Sequence, residues 1–246
     1  MPFILGLDPS LKKAGYVVID VDKPDNVVEE KGLLKTSTDD GILVQRLVKQ
    51  ASQIQGVLNK YDISFVGMEA PFFGAGSTEI LFALNQFIHK LYLDLGIYAV
   101  CFPPQMLKKL VFPDGNVSEI HKPHMIDRAK TMLGLQGKIL AEDVADAYWA
   151  GIFGKRYYNW HIRKILKDKD LGSYELNSYK GSHTFTKGTR KGDTEYSGII
   201  YRENELFFDF KEIKRRANNA TQSNKKGTGA KRRSKPQKGR EDGGDL

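Results

Sequence analysis

Short apolar runs, separated by Pro, Gly and Asp, dominate the first hundred residues. The runs at 3–8, 16–20 and 27–36 predict three strands, and the short connections between them favour antiparallel pairing. Two further runs, at 63–69 and 97–102, predict a fourth and a fifth strand. The sequence therefore predicts a sheet built mainly from the N-terminal half of the chain.

Apolar residues between these runs recur at helical spacing. The predicted helices cover 42–58, 80–91, 106–111, 123–133 and 139–153. Asp39 or Asp40 is expected to cap the first helix, and Ser77 the second. Strands and helices in this order predict an α/β fold with a mixed five-stranded sheet flanked by helices.

The pattern changes after residue 156. Residues 157–213 form a basic and aromatic extension with weak strand signals at 174–185 and 195–210. The segment 214–246 has no apolar periodicity and is predicted to be a disordered basic tail. We therefore expect an α/β domain at 1–156, a small extension that is partly β, and a tail.

Charge is concentrated at the C-terminal end. The 246 residues carry a net charge of +8, and the eleven basic and three acidic residues of 214–246 account for all of it. A basic tail on a neutral body indicates a polyanionic partner, usually nucleic acid, although a purely solubilising tail has the same composition.

Composition narrows the cellular setting. Cys101 is the single cysteine, so no intramolecular disulfide can form. The apolar runs are shorter than the roughly 20 residues of a membrane span, and no basic stretch precedes the first of them. We expect a protein of a reducing, cytoplasmic compartment without a membrane partner.

Four carboxylates form the candidate chemical site. Asp8 and Glu69 end predicted strands, and Asp143 and Asp146 lie one turn apart on an apolar helix. A strand-end acid is usually a turn residue and an acidic pair usually a solvated face, but an apolar helix is expected to be buried. Converging carboxylates repel unless a cation lies among them, and hard oxygen ligands suit Mg²⁺ or Mn²⁺.

Three motifs carry a family resemblance. Residues 4–19 (ILGLDPSLKKAGYVVI), 66–69 (VGME) and 141–147 (AEDVADA) follow one another on a predicted hairpin, strand and helix. In this order they resemble the RuvC-type Holliday-junction resolvases of the RNase H-like, or retroviral integrase, superfamily. The resemblance covers about 1–155 and leaves 156–246 without a counterpart.

The resemblance implies a magnesium-dependent homodimer that cleaves opposing strands of a four-way DNA junction. Asp8, Glu69, Asp143 and Asp146 would be the catalytic acids and would hold two Mg²⁺ ions per site, with Mn²⁺ as a possible substitute. Two ions can hold the attacking water and the leaving oxygen of a phosphodiester.

The resemblance also implies DNA contacts near the site. Phe72, or the adjacent Phe73, stands where the family places an aromatic residue that acts on bases, although ordinary packing is the alternative. Lys108, Lys109 and Lys122 stand where the family places basic residues. Lys122 is the preferred catalytic lysine because it directly precedes a predicted helix start, which favours a phosphate. A longer loop at 113–121 and the added extension favour a phage-encoded relative.

The extension is predicted to bind DNA. Its basic residues include Lys155, Arg156, Lys187, Arg190, Lys191, Lys231, Arg232 and Arg233. Interleaved aromatic residues suit base stacking, and charges of this kind give affinity rather than sequence readout. The alternative is a small structural element followed by a disordered tail. The cluster at 231–233 would also suit nuclear import.

Four function classes follow from these observations. The preferred one is a crossover junction endodeoxyribonuclease acting in recombination or replication. The same chemistry would serve a nuclease for flaps, forks or RNA–DNA hybrids. A non-catalytic nucleic-acid-binding protein on the same fold would need none of the four acids. An actin-like ATPase is disfavoured because Pro9 and Ser10, rather than a glycine at the second position, follow Asp8.

Overall fold

The computed structural model describes residues 2–70 and 78–180, together with two short strands at 183–184 and 194–195. The main sheet consists of β1 (Phe3–Asp8), β2 (Lys13–Asp20), β3 (Glu30–Lys35), β4 (Ile63–Glu69) and β5 (Tyr98–Phe102). The helices are α1 (Leu43–Lys60), α2 (Thr78–Leu95), α3 (Pro104–Val111), α4 (Lys122–Met132), α5 (Glu142–Tyr157) and α6 (Ser173–Tyr179). The short strands β6 (His183–Thr184) and β7 (Thr194–Glu195) pair antiparallel.

The sheet has the strand order β3-β2-β1-β4-β5. The pairs β1–β2 and β2–β3 are antiparallel, whereas β1–β4 and β4–β5 are parallel. The prediction of a mixed five-stranded sheet is confirmed. Since β1 and β4 run parallel side by side, their carboxyl ends meet at one edge of the sheet.

Side-chain alternation along the strands separates two cores. Ile4 and Phe65 belong to the core that α3, α4 and α5 cover, whereas Leu5 and Val66 belong to the core that α1 and α2 cover. Every second residue of β1 and β4 therefore faces α5. Asp8 is four residues from Ile4 and Glu69 is four residues from Phe65, so both acids lie on the side of the sheet that faces α5.

Glycines bring the backbone of α5 unusually close to the sheet. A Cβ on Gly6 would lie 2.2 Å from the carbonyl oxygen of Ala147, and a Cβ on Gly67 would lie 2.1 Å from that of Ala150. Real Cβ atoms do not approach this closely, so only glycine fits at these two strand positions. The helix therefore rests directly on the centre of the sheet.

Two helices begin after their predicted starts. The first helix begins at Leu43, because Ser37 instead caps a short 3₁₀ turn at Thr38–Asp40. The last core helix begins at Glu142, and Ile139 ahead of it is 98% exposed. In both cases the apolar periodicity begins before the backbone becomes helical.

The prediction of a strand from residue 174 is wrong over its first part, because Ser173–Tyr179 is a helix. Long-range packing decides this segment. The hydroxyl of Tyr179 donates to the carbonyl of Phe153 at 2.9 Å, and Tyr179 is buried in the same core as Tyr157. Residues 157–180 therefore pack against the C-terminal end of α5, and the expected domain boundary after 156 falls inside that helix.

Among the described residues, no helix is long and apolar enough to span a membrane.

A glycine-to-alanine substitution, which adds one methyl group, tests the close contact between α5 and the sheet. We expect Gly67→Ala to lower the free energy of unfolding by about 3 kcal/mol, because the added carbon would force backbone apart. Gly56→Ala is the control, since a Cβ there meets nothing within 4 Å on the exposed side of α1. That variant should gain about 0.5–1 kcal/mol from helix propensity. Urea denaturation measures both, and equal effects would contradict the packing argument.

Candidate active site

The first pair of carboxylates lies at the ends of neighbouring parallel strands. Leu7 of β1 pairs with Met68 of β4, so Asp8 and Glu69 are the next residues on the two strands. Because side chains alternate along a strand, both acids lie on the α5 side of the sheet rather than on the side of α1 and α2. Both are half-buried.

The second pair lies in the first two turns of α5. A Cβ on Gly15 of β2 would lie 1.9 Å from the carbonyl oxygen of Asp143, so the start of the helix rests against β2. Gly15 is itself the register partner of Asp8. Asp143 and Asp146 are thus carried to the edge where β1 and β4 end, and a helix N-terminus is a favourable place for negative charge.

Burial and mutual repulsion shift the pKa values of three of these acids. Desolvation and repulsion from Asp146 and Asp143 raise the pKa of Asp8 to about 8. Desolvation, followed by repulsion from Asp8 and Asp146, raises the pKa of Glu69 well above its ordinary value. Desolvation also raises the pKa of Asp146 to about 6, against the attraction of Lys122. Without added cations, Asp8 therefore holds a proton at neutral pH.

The donor set fits a hard divalent cation. The group offers only carboxylate oxygens, and a divalent cation among them would offset their mutual repulsion. As the side chains stand, no three His, Cys, Asp or Glu residues in the described part of the chain are grouped tightly enough to hold an ion. To hold a cation, the carboxylates would have to turn toward one another.

Two of the predicted lysines face this group. Lys122 lowers the pKa of Asp8, Glu69 and Asp146, and Lys108 lowers that of Glu69 and Asp146. Lys122 begins α4 and forms an ion pair with Glu142, which lies beside Asp143 at the start of α5. The structure thus brings Lys108 and Lys122 to the carboxylates.

Three other basic residues that were predicted to contact DNA instead bond to groups within the protein. Lys109 donates to the carbonyl of Gly115, within the loop that follows α3. The ammonium of Lys155 is buried and lies 3.0 Å from Asp25. Arg156 donates to both carboxylate oxygens of Glu175 in α6, at 2.6 and 3.0 Å. Lys155 and Arg156 therefore pair within the protein and stabilise the end of α5.

The aromatic residues that open the extension also pack internally. Tyr157 lies against Phe65 of β4, and Trp160 stacks on Tyr179. These side chains fill the space between α5 and α6, so base stacking by them is not supported.

The remaining predicted contacts lie outside the described residues. They are Phe72, Phe73, Lys187, Arg190, Lys191, Lys231, Arg232 and Arg233.

Sequence reasoning missed Lys13. Its Nζ lies 2.9 Å from Oδ2 of Asp143, so a cation directly contacts one of the two α5 carboxylates. The alternation along β2 could have identified it, because Lys13 lies on the same side of the strand as Gly15 and Val17, which face α5.

Comparison with known proteins identifies the family to which this sequence is similar. The family model for the crossover junction endodeoxyribonuclease RuvC matches residues 4–152. A RuvC from Prochlorococcus marinus strain MIT 9303 is 28% identical over 156 residues, covering 61% of this chain and 96% of the relative. A RuvC from Sulfurovum sp. strain NBC37-1 is 30% identical over 148 residues, covering 58% and 89%.

Solved structures show the same fold. A Thermus thermophilus RuvC structure superposes with a TM-score of 0.54 at 16% identity, covering 65% of this chain and 96% of that one. T. thermophilus RuvC in complex with a Holliday junction substrate gives 0.53, also at 16% identity, covering 66% and 96%.

The sheet order and the covering helix place this chain in the RNase H-like class of folds. Within that class, the match over 4–152 shows that the chain belongs to the family of the crossover junction endodeoxyribonuclease RuvC. All four carboxylates lie inside the matched residues.

The raised pKa of Asp8 makes stability depend on pH in a direction that can be checked. A folded state whose acid has a pKa near 8 holds a proton that the unfolded chain, with a pKa near 3.8, has already lost. The free energy of unfolding therefore falls as pH rises between these two values. In EDTA, we expect Asp8→Asn to be more stable than wild type by about 2 kcal/mol at pH 8, and by less at pH 5.

Urea denaturation at pH 5, 6, 7 and 8 measures this difference. Asp127→Asn, which removes an exposed carboxylate from α4, controls for the change in net charge. Adding Mg²⁺ should stabilise wild type more at pH 8 than at pH 5, because cation binding requires the protons to leave. A gain for Asp8→Asn that is absent at pH 8 would refute the assignment.

Proposed function

We propose that the protein is a metal-dependent endonuclease that cleaves four-way DNA junctions by phosphodiester hydrolysis. One observation carries the proposal. The residues matched to the RuvC family, 4–152, contain Asp8, Glu69, Asp143 and Asp146, and the fold directs all four to one edge of the sheet. The two relatives compared above are crossover junction endodeoxyribonucleases, and one solved neighbour is a RuvC in complex with a Holliday junction substrate.

The four carboxylates would hold two Mg²⁺ ions, with Mn²⁺ as a substitute. Bound there, the ions supply Lewis acidity and a nucleophilic water for phosphodiester hydrolysis. The chain contributes the donor oxygens, and the sheet and α5 fix the directions from which they come.

Lys122 and Lys108 would act on the phosphate. Lys122 stands at the first turn of α4 and is 66% exposed at its side chain, so its ammonium can reach a bound DNA strand. Its partner Glu142 is also accessible, so the pair can open when a phosphate offers a stronger acceptor. We assign Lys122 to the scissile phosphate and Lys108 to offsetting charge beside Glu69 and Asp146.

We further propose that the protein acts as a homodimer through α2. This helix exposes large apolar side chains around much of its circumference: Ile80, Phe82, Phe87, Leu93 and Leu95. A four-way junction has approximate two-fold symmetry, and two symmetric cuts require two active sites related by the same symmetry. A second copy on α2 would remove this apolar surface from water.

The basic residues after 180 would contact the DNA backbone outside the site. Their charge supports affinity for any DNA of suitable shape, whereas selection of a junction rests on the arrangement of the two active sites.

The proposal is tested with an end-labelled synthetic four-way junction beside a duplex, a flap and an RNA–DNA hybrid. We expect paired symmetric nicks in the junction alone, which EDTA abolishes. Asp8→Asn and Asp146→Asn should each lower the cleavage rate at least about 100-fold, because an amide cannot supply the charge that holds a divalent ion. Their junction affinity in EDTA should not fall.

Asp127→Asn is the matched control and should cut at the wild-type rate. Preferential cutting of the flap or hybrid would retain the metal site and discard the junction substrate. Junction binding without cleavage of any substrate would identify a non-catalytic DNA-binding protein.

A further inference from the structure

One ion pair inside the carboxylate group has no role in the proposed hydrolysis. Nζ of Lys13 lies 2.9 Å from Oδ2 of Asp143, and the two side chains are 47% and 23% exposed. The pair is therefore formed at the rim of the site, with solvent on one side. Such a pair is weak enough to exchange its partner.

The backbone holds Lys13 in this position. Lys13 begins β2, and Gly15 two residues later supports the start of α5 at Asp143. Because residues two apart on a strand face the same side, Lys13 points to the same helix turn as Gly15. The ion pair follows from the same close contact that builds the site.

Both acidic and basic side chains surround Lys13. Acidic side chains approach from α5 and β1, while Lys35 of β3 is its register partner and shares its side of the sheet. Lys31 and Lys35 also line an open cleft beside Leu140 and Val144, next to the start of α5. A phosphate arriving at this rim would meet Lys13 and its register partner Lys35.

A lysine ammonium and a divalent cation cannot occupy the same side of one carboxylate oxygen. We propose that Lys13 is an exchangeable counter-ion of the metal site, which holds Asp143 in the metal-free protein and moves to a DNA phosphate when a divalent cation takes its place. The inference rests on the proposed function only in that Asp143 holds a cation.

The exchange couples metal and DNA. Metal binding releases Lys13 for a phosphate, and by thermodynamic reciprocity DNA binding then favours the metal. Lys13 is thus a positioning residue: it acts through Asp143 and the phosphate contact.

Titration of the full-length, DNA-free protein with Mn²⁺ tests the first half of the exchange. We expect Lys13→Met to tighten Mn²⁺ binding by about five-fold, because the competing ammonium is gone while the side-chain length is kept. Lys13→Arg, which restores the positive charge, should bind Mn²⁺ as wild type does.

Lys12→Met is the matched control for the loss of one positive charge. Lys12 is the adjacent exposed lysine, and it forms no salt bridge with another residue in the described part of the chain. Equal tightening of Mn²⁺ binding in Lys12→Met and Lys13→Met would show that any loss of one positive charge nearby has this effect, and would overturn the proposal. Unchanged or weaker Mn²⁺ binding in Lys13→Met would overturn it as well, the latter because Lys13 would then be organising Asp143 for the metal.

Junction affinity tests the second half. With Ca²⁺ replacing Mg²⁺ to separate binding from cleavage, the gain in affinity over EDTA should be smaller for Lys13→Met than for wild type or Lys12→Met. An equal gain in all three proteins would contradict the transfer to phosphate. Melting temperatures in EDTA verify that the variants are folded.

These readouts separate the inference from the proposed function. If wild type cuts the junction but Lys13→Met binds Mn²⁺ as wild type does, the exchange fails alone. If Lys13→Met tightens Mn²⁺ binding but no junction is cut, the nuclease assignment fails alone. Absence of Mn²⁺ binding in both proteins would overturn both.

Discussion

The close approach of α5 to the sheet is the constraint on which the rest of the structure depends. Gly6, Gly15 and Gly67 remove the side chains that would hold the helix at an ordinary distance, and the carbonyl groups of the helix occupy that space. The contact lies on the three strands β1, β2 and β4 at once. It sets both the depth and the direction of the helix, and therefore the position of its first two turns.

This packing solves a problem that the carboxylates create. Burial strips the acids of water and brings them close enough to repel one another, and the raised pKa values of Asp8, Glu69 and Asp146 express that cost. The fold withstands the repulsion because the apolar cores on both sides of the sheet anchor the elements that carry the acids. A divalent cation bound among these acids would relieve this electrostatic cost. Lys13, Lys108 and Lys122 reduce the cost when no ion is bound.

Much of this arrangement was predictable from sequence because it follows local periodicity. The alternation in β1 and β4 and the helical spacing of Asp143 and Asp146 are visible along the chain, and they led to the four acids and the mixed sheet. The unpredicted features depend on contacts between distant residues. The burial of Lys155 needs Asp25, and the helix at Ser173–Tyr179 is held by Phe153 and by the pairing of Glu175 with Arg156.

The central claim is that Asp8, Glu69, Asp143 and Asp146 converge on divalent cations, and anomalous diffraction tests it most directly. Crystals of the full-length protein soaked in Mn²⁺ should show two anomalous peaks about 4 Å apart between these carboxylates. In Gly67→Ala crystals the peaks should weaken or disappear, because α5 can no longer reach the sheet. Peaks confined to exposed acids such as Asp94 or Asp127, with none among the four carboxylates, would contradict the account.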